Sequence, residues 1–440
     1  MTSVVSSSPT PIPQSGGFSA ARAWYVVAIL AALYGISFID RYMLALVVDP
    51  VSKELGIGDT QMGVLLGAGF AMVYALAGLP LAQMIDQFQR RLIVVAGVLL
   101  WSGTTMASAF AHDFMTLALC RAGIAIGEAV LTPAAISLIA DMFPQHKRAL
   151  PVSVYGVVAT VMGTGAFVVG GAALDVAQHI SFGGLSDWRI AFILVGSPGI
   201  FLALLMLWTV DEPAREITSD VRAQDDNGGV ASFFAFLKRE WRLFLPYFVG
   251  TGAWSLCSAS ILAWAPTFLV RAYGLEAAEA GYLFGTVGVP VAIVGSFLWP
   301  LAATKLEQRG RRDGIILIYL LACLIGAPMF ALMALAPTLT VTMVAIGFLM
   351  LAMSSNAVLA ALAMQTYGPS RMRGRLMALN LMFKSIIGLS GGPVLVALFA
   401  SNWEGDPRAL GYGMMVVGLV GGALSVIFLA LALPGARRRA

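Results

Sequence analysis

Long apolar stretches constrain the fold of this chain more than any other feature. The apolar runs in the 440 residues are separated by short polar clusters. They number about twelve, and each is close to the roughly 20 residues that a helix needs to cross a bilayer. Only 11% of the residues are charged, against roughly 25% in an ordinary soluble domain. Because a soluble fold could not bury so many apolar runs, the sequence predicts an all-α integral membrane protein.

The predicted spans form two sets along the chain. The first set is 24–48, 62–85, 92–111, 114–140, 152–174 and 188–210. The second set is 243–270, 277–303, 313–335, 338–366, 376–400 and 410–433. A β-barrel would instead show segments of about ten residues with alternating polarity. The Leu-, Ala- and Gly-rich runs of this chain favour helices.

A polar segment between the two sets predicts the domain organisation. We expect an N-terminal bundle over 21–212, a central cytoplasmic linker over 213–240 and a C-terminal bundle with a basic cytoplasmic end over 241–440. Repeated halves of this kind are typical of transporters. Residues 1–20 are rich in Ser, Pro and Gly. They lack the basic start and apolar core of a cleaved signal peptide, so we expect a disordered cytoplasmic tail.

The positive charges predict the orientation in the membrane. About 20 of the 27 Lys and Arg residues fall in alternate loops and at the two ends of the chain, as the positive-inside rule expects of one side. The other side carries only Lys53, Arg189, Arg271 and Arg408. Both termini are therefore predicted to be cytoplasmic, and a bacterial protein of this kind would lie in the inner membrane.

Charged residues inside the predicted spans indicate where function lies. Asp40, Arg41, Arg121 and Glu128 interrupt apolar runs of the first half, and Lys384 interrupts one of the second. Each costs at least about 2.5–3.5 kcal/mol near the middle of a bilayer, which argues for pairing inside a bundle or a water-filled cavity. A purely structural ion pair is the alternative interpretation.

Four sequence motifs connect the chain to a known family. MIDQFQRR at 84–91 resembles the loop signature G-x-L-A-D-R-x-G-R-R of the major facilitator superfamily, because it keeps the acid and the final arginine pair. The other motifs are FIDRY at 38–42, RAGIAIGEA at 121–129 and WRIAFILVGSPGI at 188–200. Together they resemble the Spinster family of lipid transporters within that superfamily, over nearly the whole chain. The resemblance implies the major facilitator fold, with about 12 transmembrane helices in two six-helix bundles.

The resemblance also suggests how the intramembrane charges act. If the first and fourth spans face each other, as in the superfamily, Asp40 can meet Arg121 while Glu128 meets Arg41. We assign proton coupling to Asp40 and Glu128, since burial and a neighbouring arginine act on a carboxylate in opposite directions. Arginine keeps its proton at biological pH, so Arg41 and Arg121 are predicted to form ion pairs or bind a substrate head group. Lys384 is predicted to attract an anionic head group, with a snorkelling lysine as the alternative.

Two further sets of residues receive predicted roles. Asp86, Arg90 and Arg91 lie at the cytoplasmic end of the second span, where the superfamily motif forms a gate. Gln87 stands where the superfamily motif has an arginine, so the contacts of that arginine are missing here. An ordinary solvated loop is the alternative interpretation. Trp254, Trp264 and Phe268 share a broad face of the seventh span and are predicted to contact an acyl chain.

The leading functional prediction is a secondary transporter for an amphipathic lipid. The resemblance implies sphingosine-1-phosphate or a lysophospholipid-like substrate, alternating access and coupling to protons. A proton-linked exporter of drugs or organic anions is the alternative, and a receptor or scaffold of transporter ancestry is a remote third. We expect no nucleic-acid partner and a monomer in the bilayer.

Two common motifs of enzymatic chemistry are missing from the sequence. It has no H-E-x-x-H run and no G-x-x-x-x-G-K-[ST] run, which disfavours a zinc enzyme and an ATP-driven pump. Its one G-x-S-x-G match, at 388–392, falls inside a predicted span, where a nucleophile elbow between a strand and a helix is not expected. The three cysteines fall inside predicted spans without a metal-binding spacing. We therefore expect no cofactor and no metal, with the proton gradient as the energy source.

Overall fold

The computed structural model describes residues 19–213 and 230–439, which form helices and turns and contain no strand. In these ranges 12 helices are long and apolar enough to cross a membrane, which confirms the prediction. In chain order the spans are Ala20–Leu46, Asp59–Gln87, Arg90–Ser108, Phe114–Met142, Gln145–Gln178, Asp187–Thr209, Trp241–Tyr273, Ala277–Gln308, Gly314–Leu335, Leu339–Tyr367, Ser370–Trp403 and Ala409–Arg438. We call the first six spans the N-terminal half and the last six the C-terminal half.

Two of the spans contain a turn of π-helix. The second span consists of Asp59–Gly63, the π-turn Val64–Ala68 and Gly69–Gln87. The eleventh span contains Arg373–Phe383, the π-turn Lys384–Leu389 and Ser390–Ala400 between short 3₁₀ turns. A π-turn holds more residues than an α-turn and often marks a functional site. Neither turn was predicted from the sequence.

Two short helices lie outside the spans. Val48–Leu55 follows the first span. Val230–Arg239 precedes the seventh span and buries Phe233 and Phe236, and the centroid of the latter ring lies 5.5 Å from that of Phe244. The end of the segment expected as a linker therefore packs on the C-terminal half. Residues 214–229 of that linker and residues 1–18 of the predicted tail 1–20 lie outside the described residues.

Ion pairs identify the face of the molecule where the described chain begins and ends. Arg22 at the start of the first span pairs with Asp211 after the sixth at 2.8 Å. Arg437 at the end of the twelfth pairs with Asp313 before the ninth at 2.7 Å. We call this the terminal face, and the other side of the molecule the opposite face.

The two halves meet near the opposite face. A Cβ on Gly67 of the second span would lie 2.8 Å from the carbonyl oxygen of Leu389 in the eleventh. A Cβ on Gly171 of the fifth span would lie 2.8 Å from the carbonyl oxygen of Ala278 in the eighth. Nearer the terminal face on the second span, Gly78 has no such neighbour within 4 Å. The halves thus enclose a cleft that is closed at the opposite face and open towards the terminal face.

Candidate functional site

The first charged pair lies at the closed end of this cleft. Arg41 of the first span forms an ion pair with Glu128 of the fourth, as predicted. The Glu128 side chain is 1% exposed and the Arg41 side chain 22%. Arg41 therefore reaches the cleft, and Glu128 holds it from inside the N-terminal half.

Aromatic rings surround the Arg41 guanidinium. Its central carbon lies 4.9 Å from the ring centroid of Phe70, 5.5 Å from that of Phe38 and 5.8 Å from that of Tyr74. Ring faces attract a cation, most strongly where water is excluded. The rings therefore stabilise the charge of Arg41 in addition to its one carboxylate partner, Glu128.

Asp40 does not form the predicted ion pair with Arg121. Asp40 is fully buried, and neither carboxylate oxygen has a hydrogen-bond partner within the described residues. Arg121 instead donates to the carbonyl oxygens of Leu65 at 3.3 Å and Arg41 at 3.4 Å. Adjacent helical residues point about 100° apart. Because Arg41 turns towards Glu128, Asp40 turns into the interior of the N-terminal half.

The π-turn of the second span provides one of these carbonyl acceptors. The Gly69 N–H bonds to the carbonyl of Val64, five residues back, rather than to that of Leu65. This leaves the Leu65 carbonyl without its α-helical donor. The Nε–H of Arg121 takes that place, so the π-turn is part of the charged site.

Lys384 supplies the cation of the C-terminal half. Its Nζ donates to the carbonyl oxygen of Asn356 at 3.1 Å, and the Asn356 side-chain oxygen accepts from the Tyr319 hydroxyl at 2.6 Å. No carboxylate pairs with Lys384 among the residues that the structure describes. Its charge therefore remains available to an anionic ligand.

A cavity of the cleft lies beside Lys384. This cavity has a volume of about 340 Å³ and brings together residues of both halves. Its polar lining consists of Thr160, Thr164, Ser255, Ser258, Ser354 and Asn356. Met350, Met353 and Leu262 add apolar surface. Leu262 also lines a small cavity of about 30 Å³ beside Arg41, so the two cavities adjoin.

A larger groove of about 560 Å³ lies away from this site. It is lined by the second, third and fourth spans, and its lining is apolar apart from Gln89. Exposed side chains such as Met84, Phe88 and Leu92 form part of it. Lipid can solvate such a surface, so we place the functional site in the charged cleft.

The predicted acyl-chain contacts at Trp254, Trp264 and Phe268 are wrong for this conformation, because all three side chains are fully buried within the C-terminal half. The Trp264 indole donates to the carbonyl of Pro393 at 2.9 Å. Trp254 packs against Gly326 of the ninth span, and Phe268 against Gly411 of the twelfth. These rings stabilise the packing of the seventh span.

The motif after the second span lies at the terminal face. Arg90 is buried and pairs with Asp141 and Glu212. Glu212 also accepts the backbone N–H of Arg91 at 2.8 Å, while the side chain of Asp86 is exposed. These arginine contacts join the third, fourth and sixth spans within one half. A gating role for this motif remains a prediction.

A polar latch at the opposite face was not predicted. Arg271 at the end of the seventh span donates to Asp49 at 2.8 Å and, through two nitrogens, to Asp59 at 2.6 and 2.8 Å. The Tyr282 hydroxyl of the eighth span donates to Asp175 of the fifth at 2.6 Å. Both contacts join the two halves. The sequence signal was available, because Arg271, Asp49 and Asp59 all lie at predicted span ends on one side.

The charged residues of the site come from both halves. The described residues contain no group of His, Cys, Asp and Glu that could hold a metal ion. Intramembrane charges that face a cavity mark pathways for ions and substrates. Two helical halves around a charged cleft therefore define a membrane transporter.

Comparison with known proteins gives the family. A family model described as the Major Facilitator Superfamily matches residues 30–393, and the chain belongs to this superfamily. Its members are transporters and not enzymes, in agreement with the prediction.

Curated relatives include a Spinster protein and an efflux pump. The chain is 28% identical to an "MFS-type efflux pump" of Mycolicibacterium smegmatis, over 90% of this chain and 89% of the relative. It is 26% identical to "Protein spinster homolog 3" of Danio rerio, over 93% of this chain and 85% of that relative. The predicted resemblance to Spinster proteins is thus confirmed at the level of homology.

A solved structure has the same fold. It is a bacterial homologue of the human lysosomal transporter Spinster in an inward-facing and unoccupied conformation. The likeness has a TM-score of 0.83 and 24% identity, over 96% of this chain and 98% of that one. The predicted major facilitator fold is confirmed.

Proposed function

We propose that this protein is a secondary transporter that moves an amphipathic lipid with an anionic head group by alternating access. Sphingosine-1-phosphate and lysophospholipid-like molecules are the candidate substrates. The proposal rests mainly on the joint contribution of Arg41 and Lys384 from separate halves to adjoining cavities.

The shape and polarity of the cleft suit such a substrate. A phosphate binds well to a lysine or arginine that is shielded from water. The cavity of about 340 Å³ at Lys384 is much larger than that of about 30 Å³ at Arg41. The head group would therefore enter beside Lys384 and reach Arg41 when the halves rearrange. Leu262, Met350 and Met353 would contact the acyl chain.

We further propose that proton binding at Asp40 and Glu128 is coupled to transport. A buried carboxylate without a hydrogen-bond donor is costly in apolar surroundings. Asp40 is fully buried, and the groups that act on it are the charges of Glu128 and Arg121 and the nearby Trp101 indole. Intramembrane acids of this kind form proton pathways in transporters. A proton on Glu128 would also weaken its ion pair with Arg41 and release the guanidinium for a head group.

Membrane placement completes the proposal. The basic loops support termini in the cytoplasm, and with that orientation the cleft described above would face inwards. We propose that the protein lies in the inner membrane of a bacterium, works as a monomer and takes its energy from the proton gradient without a cofactor.

Export of drugs or organic anions is the second candidate. The name of the mycobacterial relative favours it, since that protein is called an efflux pump and aligns with 90% of this chain. A cleft with few charges and two methionines can repack around different ligands.

Reconstituted protein tests the proposal. Purified protein in liposomes would be given labelled sphingosine-1-phosphate or lysophospholipid, with and without an imposed pH gradient. We expect gradient-dependent lipid uptake that falls in Lys384→Gln. The matched control is Lys305→Gln, an exposed lysine in the last turn of the eighth span. Uptake of drugs or organic anions without any lipid uptake would contradict the lipid proposal and favour the second candidate.

A further inference from the structure

The second-span π-turn touches Leu389, the last residue of the eleventh-span π-turn, and packs mainly against Ser390–Ala400 just beyond it, where the halves meet. Val64–Ala68 belongs to the second span and Lys384–Leu389 to the eleventh. Fewer than about 1% of residues in soluble proteins lie in π-helices. Two such turns in contact across the interface between the halves therefore call for a physical explanation.

Glycine allows the two turns to touch. A Cβ on Gly67 would lie 2.8 Å from both the carbonyl oxygen of Leu389 and the ring of Pro393. A Cβ on Gly63 would lie 2.8 Å from the carbonyl oxygen of Pro393. Pro393 has no N–H, so the Leu389 carbonyl four residues earlier lacks its α-helical donor. That carbonyl faces Gly67, where backbone contacts of the Cα–H···O type can form. We call this contact the π-joint.

On its N-terminal side the π-joint is connected to the charged pair. The freed Leu65 carbonyl accepts the Nε–H of Arg121. Phe70 follows the turn by two residues and is 2% exposed. Its ring lies 4.9 Å from the guanidinium carbon of Arg41 and 5.2 Å from that of Arg121. A shift of the second-span turn would therefore disturb both arginines.

On its C-terminal side the π-joint is connected to Lys384. Lys384 is the first residue of the eleventh-span turn, and its Nζ holds the Asn356 carbonyl of the tenth span. The N–H of Ser390 completes the turn by bonding to Ser385, five residues back. A ligand that pulls Lys384 away from Asn356 would act directly on this turn.

From these contacts we infer that the π-joint couples the charged sites of the two halves to closure at the opposite face. Phe70 is the positioning residue on the N-terminal side and Gly67 makes the contact itself. Loss of the Arg41–Glu128 pair disturbs Phe70, and the second-span turn then leaves the eleventh. The inference depends on the alternating access proposed above, but on no particular substrate.

Distances between spin labels test the joint without any lipid. One label would be placed on each half at the opposite face, at Phe182→Cys and Glu404→Cys, which are exposed positions. Gly67→Ala should lengthen the label distance in a major fraction of molecules, since the added Cβ meets backbone and the proline ring. The matched control is Gly78→Ala on the same span, where the added methyl meets nothing within 4 Å. An unchanged distance in Gly67→Ala would overturn the inference.

A second experiment leaves Gly67 in place and uses Phe70→Leu to remove the contact between the π-joint and the arginines. Glu128→Gln should lengthen the distance in the otherwise unchanged protein and have little effect in the Phe70→Leu background. Equal shifts in both backgrounds, or no shift in the otherwise unchanged protein, would overturn the coupling. Because no substrate is present, failure of lipid transport would contradict the proposed function and leave the joint standing.

Discussion

Removal of the Arg271 latch should open the opposite face. Arg271→Gln keeps a polar side chain but loses the charge that joins Asp49 and Asp59 of the other half. The two carboxylates regain water when the halves separate, so the variant loses stabilisation mainly in the closed conformation.

The size of the effect follows from the exposure of the three side chains. The Arg271 side chain is 27% exposed, that of Asp49 36% and that of Asp59 30%. Partly exposed ion pairs contribute up to about 1 kcal/mol each. Two pairs give about 2 kcal/mol, or roughly a 30-fold change in the ratio of open to closed molecules. An open fraction of about 1% would then rise to about 23%.

The label pair at Phe182→Cys and Glu404→Cys measures this fraction directly. Arg189→Gln is the matched control, because Arg189 pairs with Glu54 at 2.8 Å within one half on the same face. Arg271→Gln should add a population with a longer label distance, while Arg189→Gln should keep the original distribution. An unchanged distribution in Arg271→Gln, or the same new population in Arg189→Gln, would refute the reasoning.

Three further predictions concern the charged groups. Asp40→Asn should leave membrane insertion normal but reduce gradient-driven uptake at least about tenfold, because the variant cannot carry the proton. Tenfold corresponds to about 1.4 kcal/mol in the activation free energy. Normal uptake by Asp40→Asn would contradict the coupling. Lys384→Gln should raise the KM for an anionic lipid more than for a zwitterionic one, and equal changes would exclude a head-group contact. Burial would raise the pKa of Glu54, but hydrogen bonds from Arg189, Trp188 and Ser186 outweigh it and lower that pKa below its ordinary value. The contribution of Glu54 to the free energy of unfolding is therefore present above its pKa in the unfolded chain. It is lost as the pH falls through its lower pKa in the folded protein. Thermal unfolding of Glu54→Gln should show a deficit of less than about 1 kcal/mol at pH 7 that vanishes towards pH 3, and a deficit independent of pH would contradict this account.

The fold was predictable because bilayer insertion depends on local composition. Every long apolar run became a span, and the arginine-rich motif at 84–91 indicated the family. The π-turns Val64–Ala68 and Lys384–Leu389 were missed, since one extra residue per turn leaves no mark on the hydropathy of a transmembrane stretch. The helix Val230–Arg239 was missed because its polar surroundings concealed two buried phenylalanines.

The site was predictable only in part, because pairing depends on helix rotation. The charges of Arg41 and Glu128 indicated their ion pair, which the structure contains. The partner of Asp40 could not be deduced, since adjacent residues on one helix cannot both face the fourth span. The aromatic face of the seventh span was misassigned, because spacing alone does not distinguish the interior of a bundle from the wall of a cleft.

Proton movement driven by lipid tests the central claim most directly. Proteoliposomes with a pH-sensitive dye inside and no imposed gradient would receive lysophospholipid or sphingosine-1-phosphate from outside. A proton-coupled lipid transporter should change the internal pH as lipid moves, and Glu128→Gln should abolish that change. Lipid movement without any change in internal pH would contradict proton coupling, and absence of lipid movement would contradict the proposed substrate class.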